Sequence, residues 1–130
     1  MKRQHVLLIL RIIVAIILIQ TLRYKFTAHP DSVYIFETLG LEPLGRIAIG
    51  IFELIAGILL LIPKSVWAGS LLSLGLMFGA ILSHITQLGI EVRNDNGVLF
   101  MTAIITAILS AILVFQYRKT IPVIGSRIMP

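Results

Sequence analysis

Apolar positions gather into four runs, at about 6–23, 45–62, 66–88 and 98–117, each closed by polar or basic residues. Every run is close to the ~20 residues that a helix needs to cross ~30 Å of hydrocarbon. With no water inside a bilayer to satisfy backbone groups, such runs must be helices. Successive residues step by ~100° around a helix, which sorts each run into faces. On the first, Arg11, Ala15, Leu22 and Lys25 share one face; on the second, Arg46, Gly50, Glu53, Gly57 and Leu60 do. Gly69, Ser73, Ala80, His84 and Gln87 line the third, and Thr102, Thr106 and Ser110 the fourth.

The connections differ in character. Pro63-Lys64-Ser65 is short enough to fold the second and third helices into an antiparallel hairpin. Residues 89–97 form a polar loop with the Asn96-Gly97 turn signal. The first connection, about 24–44, is longer, and Asp31 or Ser32 is expected to cap a short helix bearing Val33, Ile35, Phe36 and Leu39 and ended by Gly40. That helix is expected at the membrane surface, with Tyr24 and Tyr34 at headgroup depth. The fold class is therefore all-α: one integral membrane domain over residues 1–130, with four spans and a short interfacial helix between the first two.

Composition sharpens this picture. The chain is 58% hydrophobic and only 13% charged, against roughly 45–50% and about 25% in soluble domains. A soluble fold of 130 residues could not hide so much apolar surface, so the excess faces lipid. The first run has a basic leader in Lys2 and Arg3, but Arg11 interrupts it and no small-residue cleavage site follows, so a retained span is expected rather than a signal peptide.

The net charge of +5 does not signal nucleic acid, because the basic residues sit at the ends of apolar runs rather than on one stripe. They report topology instead. Lys2, Arg3, Lys64, Arg118, Lys119 and Arg127 would lie on one side and Arg23, Lys25, Arg46 and Arg93 on the other, which favours cytoplasmic termini. The expected location is a bacterial plasma membrane. With no cysteine, disulfides and thiolate metal sites are excluded.

Chemistry concentrates in a few polar side chains. The stretch GIFELIAGILLLIP sets Glu53 into an apolar run, where insertion of an Asp, Lys or Arg at the helix centre costs ~2.5–3.5 kcal/mol. Such a group must face the bundle, and Gly50 and Gly57 leave room for a neighbouring helix beside it. Arg11 is one candidate for a structural ion pair with Glu53; it could equally snorkel to the headgroups. At ~1.5 Å per residue, Glu53 lies ~12 Å and His84 ~6 Å from the same membrane edge, whereas ~10 Å separates Glu53 from Arg11. The half of the bundle holding Glu53, His84, Gln87, Gln20 and Lys25 is thus the better candidate pocket. Thr102, Thr106 and Ser110 read as packing residues whose hydroxyls bond back to the preceding turn. His5, His29 and His84 lack metal-ligand spacing, and no catalytic motif is present.

The early Arg11, the Tyr24-Lys25-Phe26 end of the first span, the Phe36-Glu37-Thr38-Leu39-Gly40-Leu41 segment, Glu53-Leu54-x-x-Gly57 and His84 together resemble the DoxX-like membrane family, over about residues 8–117. The resemblance implies a four-helix membrane bundle with Arg11, Lys25, Glu53 and, less firmly, His84 as signature positions. It also implies kinship with subunits of quinone-reducing oxidoreductases or membrane redox complexes; the lack of cysteine argues against a thiol-based role.

Two readings of function follow, the first favoured through the resemblance and the second its alternative. In one, the protein is a redox-associated subunit that binds a quinone or other lipid-soluble ligand near Glu53 and His84, with Lys25 and Gln87 nearby, these groups handling the accompanying protons. It has no electron carrier of its own and would need a membrane or soluble redox partner. In the other, it is a structural or assembly protein without catalytic activity, with Arg11 and Glu53 as internal glue. A transporter is less favoured, since midplane sites usually use broken helices. A homodimer is compatible with each.

Overall fold

The computed structural model describes residues 2–122, which form an all-helical bundle. Arg127, counted above among the basic residues, lies outside the described residues. Six α-helices run in order: α1 (Arg3–Gln20), α2 (Leu22–Phe26), α3 (Pro30–Thr38), α4 (Leu44–Leu61), α5 (Val66–Ser83) and α6 (Val98–Gln116). A 3-10 turn, Pro63–Ser65, joins α4 to α5, and a π-helical turn, His84–Leu88, extends α5. Four membrane-length segments result: Arg3–Phe26, Leu44–Leu61, Pro63–Leu88 and Val98–Gln116. They agree with the four expected spans to within a few residues at most ends.

The first span differs in one respect that matters for the site. It continues past residue 23 to Phe26, with a break at Thr21. The Thr21 hydroxyl donates to the Leu18 carbonyl at 2.8 Å, and such back-bonding often bends a helix. The last turn, α2, is thereby set against α4.

The bundle closes as a ring in which α1 packs on α4, α4 on α5, α5 on α6 and α6 on α1. Its interior sets small hydroxyl residues among aliphatic side chains such as Val14, Leu18, Leu60 and Leu113, and its exterior is large and apolar. Ser70, Ser73, Thr106 and Ser110 have no exposed surface, whereas Ile16, Phe78, Ile108 and Phe115 are each more than half exposed. That arrangement suits lipid, where association relies on close packing and interhelical hydrogen bonds rather than on burying oil. Ser73 and Ser110 share a hydrogen bond of 2.8 Å across α5 and α6. Thr102 and Thr106 bond back to Val98 and Thr102 carbonyls, as expected for packing residues; Ser110 instead reaches across to its neighbour.

The tight hairpin of α4 and α5 depends on Gly69. A Cβ there would stand 2.8 Å from the Leu60 nitrogen and 2.9 Å from the Ala56 carbonyl oxygen, both backbone atoms. The helix α3 is present, but its cap is His29, whose Nδ1 accepts the Asp31 N–H at 3.1 Å, in place of the expected Asp31 or Ser32. Pro30 takes the first helical position, which it can fill without losing a hydrogen bond. Its C-terminal end follows expectation: Gly40 takes a φ of +75°, and Leu41 N–H returns to Phe36 O at 2.8 Å.

The candidate site: a buried charge network between α2 and α4

The end of the bundle opposite the chain termini gathers four charged side chains: Lys25 from α2, Glu42 from the turn before α4, and Arg46 and Glu53 from α4. Lys25 Nζ lies 2.9 Å from Glu53 Oε1. Glu53 is 4% exposed. The contact is ionic in distance but poorly directed as a hydrogen bond, so Oε1 keeps an unused acceptor position. Lys25 also donates to the Thr21 hydroxyl at 3.3 Å.

Arg46, one helical face-repeat before Glu53, completes the arrangement. Its Nε lies 2.9 and 3.0 Å from the two Glu42 carboxylate oxygens, and its Nη1 donates to the Lys25 carbonyl. Residue 25 is therefore held twice by α4: at its carbonyl by Arg46 and at its ammonium by Glu53. Two cations and two carboxylates make the cluster neutral, which is the condition for burying charge at tolerable cost.

Glycines allow this approach. A Cβ at Gly50 would meet the Phe26 ring at 2.7 Å, and one at Gly57 the Ile19 side chain at 2.9 Å. The helix that uses the space beside Glu53 is thus the first span.

Several sequence expectations are corrected here. The Arg11–Glu53 pair does not form. Arg11 donates from Nε to the Leu60 carbonyl at 2.7 Å, one residue from the end of α4, because its side chain leans back toward the start of α1. Gln87 and Gln20 are exposed and do not join the cluster; Gln20 turns back to the Ile17 carbonyl. His84 is 2% exposed but shares no ion pair or hydrogen bond with Glu53. It packs edge-on to Phe100, with ring centroids 5.4 Å apart, and bonds the Gly89 carbonyl at 2.8 Å. As the acceptor is a carbonyl, Nδ1 carries the proton.

The loop beside His84 is held by Asp95, whose carboxylate accepts the backbone N–H groups of Val92, Gly97 and Leu99 at 3.0, 2.8 and 3.1 Å. Slight burial pushes this carboxyl up, but the three N–H donors outweigh it and hold its pKa below the usual carboxylate value. Sequence reasoning passed over Glu42 and Thr21. The signal for Glu42 was its i, i+4 spacing to Arg46. Among the described residues, no three His, Cys, Asp or Glu side chains gather as a metal site.

A ring of four membrane-length helices, apolar outside and with hydroxyl and charged side chains turned inward, with a buried carboxylate–ammonium pair at one end, defines a multi-pass integral membrane protein. Its family is DoxX: the family model matches residues 6–86, more than half of the chain, and the protein belongs to that family. No curated protein and no solved structure gives a significant match.

Proposed function

We propose that this DoxX-family protein is an architectural membrane subunit, contributing a rigid four-helix body to a membrane complex and performing no chemistry at Glu53. The observation that carries the reading is the double grip of α4 on Lys25: the intramembrane carboxylate is engaged within the chain by Lys25, while Arg46 holds the same residue's carbonyl. The cleft beside Ile12, Ile16 and Leu61 and the one beside Arg3, Arg11 and Tyr117 are not lined by Glu53 or His84. A redox complex is the partner class suggested by the family resemblance, and a second copy of the chain is an alternative partner.

One feature favours the second reading, a quinone or similar lipid-soluble ligand: the unused acceptor position on Glu53 Oε1 would take a hydrogen bond from a quinol hydroxyl. The two readings separate in one experiment. Wild type and Glu53→Gln are purified in mild detergent, melted, and their organic extracts analysed by mass spectrometry. A less stable variant and no ligand in either extract support the architectural role. A quinone carried by wild type and missing from a variant of unchanged stability would replace that role with the ligand reading.

We also place both termini in the cytoplasm of a bacterial cell, on the six-against-four basic count. As the chain has no cysteine, single reporters at Lys64→Cys and Asn94→Cys test this. An impermeant maleimide should label the second and not the first in intact cells.

A further inference from the structure

The end of the bundle that carries the chain termini holds a second group of polar residues, unrelated to the Lys25–Glu53 cluster. Here α1 and α6 diverge around a cleft of about 360 Å³, lined by Arg3, Arg11, Gln116 and Tyr117 among others. Arg11 is only 7% exposed, and a guanidinium stays protonated whatever its surroundings. Its Nε donates to Leu60 O at 2.7 Å. Its terminal amino groups have no partner among the described residues.

Among the described residues no carboxylate stands near it. Of the chain's six acidic residues, Asp31, Glu37, Glu42, Glu91 and Asp95 belong to the opposite end of the bundle. The sixth, Glu53, is seven residues before Leu60 on α4, ~10 Å along the axis, and is taken by Lys25. The carbonyl end of α4 supplies part of a counter-charge, equivalent to about half an elementary charge. The rest of the positive charge has no counter-charge among the described residues, and the terminal amino groups, which are not sealed from solvent, open onto the cleft.

The other groups at the cleft are donors as well. Arg3 spans its mouth, bonding Gln116 Oε1 through Nε at 2.9 Å and also through Nη2. With that oxygen engaged, Gln116 has its amide N–H groups left to offer, and the Tyr117 hydroxyl has no protein partner among the described residues. Arg118 and Lys119 follow directly. A cleft ringed by hydrogen-bond donors, two of them permanent cations and with no carboxylate from the described residues nearby, is complementary to an oxyanion. Its position at the end of two membrane-length helices puts it at headgroup level.

We propose that this cleft between α1 and α6 binds a phosphate group, with Arg11 as the buried charge partner and Arg3, Gln116 and Tyr117 closing over it. The source is either the headgroup of an anionic phospholipid or a soluble phosphate, and the test separates the two.

The full-length protein in a neutral detergent is melted with added phosphatidylglycerol, with phosphatidylcholine, and with inorganic phosphate against equimolar chloride. Lipid retention is read in parallel by native mass spectrometry. Stabilisation by phosphatidylglycerol but not by phosphatidylcholine or inorganic phosphate assigns the site to a lipid; stabilisation by inorganic phosphate alone assigns it to a soluble anion. In either case Arg11→Gln should weaken the apparent affinity about tenfold or more, as expected when a charged hydrogen bond is lost. Failure of wild type to respond to any phosphate-bearing probe overturns the proposal, as does an equal response in Arg11→Gln. Should that variant fail to fold, Arg3→Gln, whose side chain is exposed, carries the test: an undiminished response there also overturns it.

Discussion

Lys25 and Glu53 meet at 2.9 Å although they come from different helices and lie 28 positions apart in the chain. Their contact joins the last turn of the first span to the middle of the second. Both side chains are largely withdrawn from solvent, at 15% and 5% exposure, so removing one partner strands the other. Lys25→Met or Glu53→Gln alone is expected to destabilise the protein by about 3 kcal/mol, at the low end for a buried pair because Lys25 retains some exposure. Replacing both should recover most of that loss. A double-mutant cycle by thermal unfolding in detergent checks this, and additive single effects would refute the coupling.

The α4–α5 seam leads to a contrast between two glycines on one helix. Gly69→Ala places a methyl group against the backbone of α4, which cannot yield without parting the helices, at a cost of about 1–3 kcal/mol. At Gly75 an added Cβ meets nothing within 4 Å. Gly75→Ala should therefore stabilise by up to about 0.5–1 kcal/mol through the helix preference of alanine. Melting temperatures of the two variants should move in opposite directions.

The Asp95 loop predicts an acid-sensitive element. The folded-state pKa lies below the ordinary value of 3.8, so the carboxylate's contribution is fully present above that value and is lost as pH falls through the lower folded pKa. Asp95→Ala should cost about 1 kcal/mol at neutral pH, the usual penalty for losing a helix N-terminal acceptor. The difference from wild type should shrink in acid. Amide exchange at Val92, Gly97 and Leu99, followed against pH, would locate the effect.

Across α5 and α6, the buried Ser73–Ser110 bond should couple the two residues by about 0.6 kcal/mol, the average for such pairs in a bilayer. The two single alanine variants should together cost more than the double variant. Strict additivity in the cycle would show that each hydroxyl bonds its own helix instead.

The spans were legible because their signal is collective. Runs of eighteen or more predominantly apolar residues allow only a helix in lipid, and a few residues of error at each end change nothing. The short α3 and its Gly40 stop were legible for a related reason, since backbone chemistry at a helix end is local. The cap was misplaced because a histidine side chain, not an Asp or Ser, supplied the acceptor to Asp31 N–H.

Glu53 was recognisable as inward-facing from its sequence neighbours alone, for Gly50 and Gly57 mark the face where another helix comes close. Its partner was not. Depth arithmetic set Arg11 and His84 as candidates, but Arg11 leans the other way to Leu60, and the π-helical turn carries His84 toward Phe100 and Gly89. Lys25 reaches the carboxylate because the first span, broken only at Thr21, runs one turn further than its apolar residues indicate.

Membrane class, span number, hairpin turns and the inward face of each helix were thus determined by the sequence itself, because they follow from hydrophobicity, helical period and local turn chemistry. Which charges meet was decided only by the tertiary structure. Pairing depends on the rotation of each helix, on one helix break and on where a long side chain leans, and shifts of a few ångströms in these place Lys25 on Glu53 and leave Arg11 alone at the other end of the bundle.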